Sequence, residues 1–190
     1  MRQPTTAACL AVLALSPLAA ADLVVNGDFE APVIANVFLF VPRDDASITG
    51  WSVGAPTAGQ GVDIISATFG GPTLANTGLQ AIDLAGSPGR GTIFQTLATS
   101  PGTSYTLAFA LSSNGGAITD GVTVRWGGVE VATLGSPSQG TWTSFSYDLP
   151  ATSGATLLEF VGNVDGVAGT FLDTVSVEVV PAPGALVLGL

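Results

Sequence analysis

Carboxylates carry nearly all the chemistry available to this 190-residue chain, which has 14 acidic residues, four arginines, and neither Lys nor His. Glycoside hydrolysis runs on two carboxylates held at a set separation, so paired acids are the first thing to look for. Asp44 and Asp45 are adjacent, and an extended segment sends such neighbours to opposite faces, so a solvated loop is the better reading. Asp63 and Asp83 could converge across strands, though nothing in the sequence shows it. The single cysteine, Cys9, lies near the start of the chain. General-base and nucleophile roles therefore lack material, and the reading is non-enzymatic.

A second chemistry is stacking, in which flat rings grip the CH faces of a sugar at little conformational cost. The candidates are Trp51, Trp126, Trp142, Tyr147 and Phe69. Trp51 follows Gly50 at the entry of an apolar strand, and Trp126 continues the apolar face of Val122 and Val124, so both read as core. In Thr141–Tyr147, Trp142 falls on the opposite parity to Phe145 and Tyr147, and one set must face outward unless a bulge intervenes. Trp142 and Tyr147 are the candidate ligand-binding residues; the alternative places Trp142 in the core or between sheets.

Charge narrows the partners. From Asp22 onward, 14 acids face Arg43, Arg90 and Arg125 alone. Nucleic acid needs clustered cations, so none is expected, and an anionic membrane surface is disfavoured for the same reason. An acidic surface attracts cations, and calcium suits a domain that offers carboxylate and carbonyl oxygens but no His.

These groups sit in a chain built for export. Ala7–Leu15 is a short apolar run behind Arg2, followed by Pro17 and Ala19-Ala20-Ala21, the layout of a signal peptide covering residues 1–21. The run is too short to span a bilayer. Residues 181–190 read as a partial sorting tail, with Pro181-Ala182-Pro183-Gly184 ahead of six mainly apolar residues. Contact with a membrane is then transient, through leader and tail only.

Between them, residues 22–180 form one domain. Hydrophobic residues make up 47% of the chain, which excludes charge-driven disorder, and the 25 Gly and 12 Pro mark turns. No helical stripe persists. Strands are expected at 33–41, 48–53, 62–66, 79–84, 92–97, 105–112, 121–126, 129–134, 141–149, 156–161 and 170–180. In Tyr105–Leu111 the larger apolar side chains occupy odd positions; in Val122–Trp126 they occupy even ones, with Arg125 on the other side. Gly127-Gly128 marks a two-residue hairpin. Residues 65–78 read as a long connection. Many short strands with such punctuation predict an all-β, jelly-roll-like sandwich.

Several segments resemble a known family: Val24-Val25-Asn26-Gly27-Asp28-Phe29-Glu30, Ile48-Thr49-Gly50-Trp51, Val62-Asp63-Ile64-Ile65, Ala81–Gly86, Pro101–Phe109 and Leu172-Asp173-Thr174-Val175-Ser176-Val177. Their order resembles that of exported bacterial proteins named choice-of-anchor C, related to a plant cell-wall domain family and of the galactose-binding-like sandwich type. Val180–Leu186 similarly resembles the opening of a PEP-CTERM sorting signal, without its membrane-length stretch or basic end. The resemblance implies a secreted or cell-surface role and binding of a polysaccharide of the cell envelope or matrix; the alternative is a structural or adhesive exopolysaccharide-associated protein without a defined small ligand. It also implies that the first and last strands lie side by side, and that Asp28, Glu30 and Asp173 share a structural calcium. The competing reading makes Asp28 a turn residue, Glu30 solvated and Asp173 a cap on the last strand.

Overall fold

Period-two alternation resolves into strands wherever the sequence shows it. The computed structural model describes residues 21–67, 74–87 and 89–181, so the leader, the tail beyond Pro181, and Phe69 lie outside the described residues. Among the described residues the strands are β1 Phe38–Pro42, β2 Ser52–Gly54, β3 Gly61–Ser66, β4 Gln80–Asp83, β5 Ala85–Gly86, β6 Gly89–Arg90 and β7 Thr92–Ala98. They continue with β8 Ser104–Ser113, β9 Ile118–Trp126, β10 Val129–Ser136, β11 Thr143–Pro150, β12 Ala155–Gly162 and β13 Thr170–Val179. One sheet runs β1-β3-β4-β13-β8-β11 and the other β10-β9-β12-β7-β2, every neighbouring pair antiparallel. Two packed antiparallel sheets with such crossovers make the expected jelly-roll sandwich.

The core is the layer between the sheets. Leu107, Phe109 and Leu111 of β8 and Leu172 of β13 meet Val122 and Val124 of β9, Leu158 and Phe160 of β12, and Ile93 and Leu97 of β7. Phe109 and Phe160 touch edge to face across the layer, with ring centroids 5.1 Å apart. Trp51 and Trp126 are buried as expected, while Arg125 between Val124 and Trp126 is exposed. The β9–β10 hairpin turns on Gly127 and Gly128 at φ of 59° and 81°, left-handed values that glycine adopts freely.

Ahead of β1 the chain is laid down without regular strand structure, by side chains. Buried Gln95 accepts from the Val25 amide and donates to its carbonyl. Buried Gln80 accepts from the Ile34 amide and donates to the carbonyls of Phe29 and Pro32. The expected first strand, 33–41, is therefore shortened to β1 at its C-terminal end, and 48–53 contracts to β2. The start of the domain lies beside its end: Leu23 N–H donates to the Val177 carbonyl at 2.9 Å, and Val175 N–H to the Gly27 carbonyl at 2.8 Å.

Candidate functional site

The Asn26–Glu30 segment earns its residues by folding the chain. Asn26 closes a local turn, donating to the carbonyls of Ala31 and Thr49 and accepting from the Ala31 amide. Gly27 lies so close to β13 that a Cβ would strike the Val175 carbonyl. Phe29 is fully buried against Trp51, whose Nε1 donates to the Asn26 carbonyl.

Glu30 and Asp173 are brought to one loop, residues 76–80, where their carboxylates accept backbone amides. Glu30 Oε1 takes the amides of Leu79 and Gln80 at 2.6 and 2.8 Å. Asp173 Oδ2 takes those of Asn76 and Thr77 at 2.7 and 3.0 Å, and Oδ1 that of Thr174. Burial pushes the Asp173 carboxyl up to about 7 against these bonds, with the Glu30 charge adding to the rise. Asp28 is exposed and lines a separate shallow depression with Asp22, Thr174 and Ser176. No group of three acidic or thiol side chains among the described residues is placed to hold a metal ion, so the expected Asp28–Glu30–Asp173 set does not form a triad. Glu30 and Asp173 instead pin the 76–80 loop through its backbone amides.

The two ring candidates part company. Trp142, just before β11, packs against Ile65, Leu74 and Phe171, a small cluster on the outer side of the six-stranded sheet. Tyr147 faces the other way and stacks on Phe109 at 6.2 Å, at the margin of the main core. That divergence is the parity rule of a strand at work.

Tyr147 opens into a groove of about 390 Å³ between the edge strands β10 and β11. Trp126, Tyr147 and Leu149 supply its apolar surface; Val129, Glu130 and Val131 form the β10 side. Trp126 is fixed by its Nε1 donating to the Pro150 carbonyl at 3.0 Å and by Tyr105, 6.1 Å away. Glu130 is the one acidic side chain among the groove's lining residues. Sequence reading assigned Trp126 to the core, which is right for most of its surface; only the stacking of two sheet edges makes its remaining edge part of a groove.

Asp63 and Asp83 do converge: they are direct cross-strand partners on β3 and β4. Asp83 is sealed beneath amides of Ala85 and Gly169 and the Asn114 side chain. Burial pushes its carboxyl up to about 7, and the Asp63 charge adds to the rise. Asp44 is exposed and pairs with Arg43, as a solvated loop requires.

These features define an all-β jelly-roll sandwich with an aromatic-lined groove at one open edge. The chain matches, over residues 22–178, the family described as Protein of unknown function (DUF642), and belongs to it. No curated protein matches the sequence. Similar solved structures include TmCBM61 in complex with beta-1,4-galactotriose, with a TM-score of 0.60 at 14% identity, covering 84% of this chain and 99% of that one. The CBM22-1 xylan-binding domain from Paenibacillus barcinonensis Xyn10C gives a TM-score of 0.51 at 14% identity, covering 88% of this chain and 99% of that one. A family 16 carbohydrate-binding module gives 0.51 at 19% identity, covering 82% and 98%. At such identities the likeness is one of fold.

Proposed function

We propose that this chain is an exported, non-catalytic carbohydrate-binding module that takes a neutral polysaccharide of the cell envelope or matrix into the groove between β10 and β11. The observation that carries this reading is the pairing of Trp126 and Tyr147 with Glu130 in one open groove. Tyr147 offers ring surface to the CH face of a pyranose, the edge of Trp126 adds apolar contact, and the carboxylate accepts sugar hydroxyl hydrogens. Hydrolysis through two carboxylates has no second partner among the groove's lining residues, which supports binding without turnover. Two of the three arginines of the domain face acids, Arg43 with Asp44 and Arg90 with Asp165, so a polyanionic glycan would meet an acidic surface with little to offset it. Export is supported by the leader-like residues 1–21.

Affinity gel electrophoresis in soluble neutral polysaccharides, galactan and xylan among them, tests the reading. The protein is expected to be retarded in at least one, and Tyr147→Ala to run free in the same gel. Free migration of the unaltered protein across a broad neutral panel overturns the proposal.

A further inference from the structure

The outer side of the six-stranded sheet carries a row of cross-strand partners: Phe40, Asp63, Asp83 and Phe171 on β1, β3, β4 and β13. Asp63 and Asp83 thus sit side by side, like charges once both are ionised, and no arginine among the described residues pairs with either. Adjacent buried carboxylates repel and lose their hydration, so the arrangement is costly unless something positive joins it.

The two acids differ in how their oxygens are engaged. Asp83 accepts from the amides of Ala85 and Gly169 and from Asn114 Nδ2, at 2.9, 3.1 and 3.0 Å. Asp63 is nearly as buried, at 3% exposure, yet its Oδ2 has only long contacts from Ser87 N and Oγ, at 3.3 and 3.4 Å. Its Oδ1 is buried with no hydrogen-bond partner at all. A buried polar atom without a partner is uncommon in a folded protein and calls for an occupant.

Asp63 lines a small pocket of about 50 Å³ with Phe38, Ile65, Ser87, Asn114 and Val167. The hydrogens around it are already committed: Ser87 donates to Asp63, and Asn114 Nδ2 to Asp83 and the Val167 carbonyl. What remains for a guest is a set of oxygens, from Asp63, Ser87 and Asn114. A site of acceptors alone, beside a second carboxylate and with room for one small guest, selects a cation.

We propose that Asp63, Ser87 and Asn114 form a calcium site on the outer face of the six-stranded sheet. Oxygen ligands of mixed charge and adaptable geometry suit calcium, with water completing the six to eight positions it takes. Transition metals favour nitrogen or sulfur ligands, and the pocket offers neither as a free donor. The site is distinct from the loop held by Glu30 and Asp173, and it stands independently of the saccharide reading.

Calorimetric titration of calcium chloride into chelator-stripped protein, with melting curves in calcium and in chelator, decides the matter. The protein is expected to bind one calcium ion and to melt higher in calcium. Asp63→Asn keeps the shape and removes a like charge, so in chelator it should melt no lower than the parent; it should lose both the heat and the calcium-induced shift. Ser87→Ala, at the rim of the pocket, should bind calcium more weakly, and Asp28→Asn should behave as the parent. An unaltered protein without heat or shift overturns the site. So does a full response retained by Asp63→Asn and Ser87→Ala, and a response abolished by Asp28→Asn alone.

Discussion

Trp126 of β9 donates its indole hydrogen to the Pro150 carbonyl at the end of β11, a 3.0 Å bond that ties one sheet to the other at the groove. Trp126→Phe removes that bond and part of the packed indole ring. The expected loss is about 2 kcal/mol, read as a lower urea midpoint with an unchanged slope.

Trp142 and Tyr147 should separate cleanly by assay. Trp142 packs on Ile65, Leu74 and Phe171, away from the groove. Trp142→Ala is expected to lower stability by about 2 kcal/mol through lost packing. Its retardation by polysaccharide should match that of the parent, whereas Tyr147→Ala should lose retardation. Loss of binding in Trp142→Ala would move the ligand to the other side of the sheet.

The loop at residues 76–80 hangs on two carboxylates. Asp173→Ala strips the acceptor from the amides of Asn76, Thr77 and Thr174. A cost of about 3 kcal/mol follows from several amides left unpaired, together with faster proteolytic cleavage within residues 74–79. Glu30→Gln keeps an acceptor oxygen for Leu79 and Gln80 and should cost about 1 kcal/mol or less.

Two buried acids set a pH dependence. Asp83 and Asp173 are each pushed up to about 7, chiefly by burial, from an ordinary value of 3.8. The folded protein therefore holds protons that the unfolded chain releases. The stability these groups contribute is fully present below 3.8 and is lost as pH rises to about 7. With calcium chelated, the melting temperature should fall by about 5 °C or more between pH 5 and pH 8, and Asp83→Asn should flatten the slope. A melting temperature that rises across this window contradicts the assignment.

Gly27 tests the seam between the two ends of the domain. With no room for a Cβ against the Val175 carbonyl, Gly27→Ala must push the first segment off β13. Overpacking against backbone predicts a loss of about 3 kcal/mol, measured by thermal or urea unfolding.

Much of the architecture was legible because strand parity is local. The alternation in Tyr105–Leu111 and Val122–Trp126 identified β8 and β9 and placed Arg125 outside, and Gly127-Gly128 identified the hairpin from β9 to β10. The parity of Trp142 against Tyr147 showed that the two face opposite ways. The short β5–β6 pair escaped notice, since two-residue strands have no period to read. The first expected strand was overextended because the Ile34 amide is held by the side chain of Gln80, 46 residues away, and not by a neighbouring strand.

The sequence by itself determined an all-β chain, poor in catalytic groups and strongly acidic, in which particular rings share or oppose a face. Those properties follow from residue type and from a two-residue repeat that any short stretch displays. Tertiary structure alone decided which oxygens remain available. It turned Glu30 and Asp173 onto amides, set Asp63 against Asp83, and joined Trp126 to Tyr147 across two sheet edges. Such pairings depend on register and on how sheets stack, and no local pattern of residues encodes either.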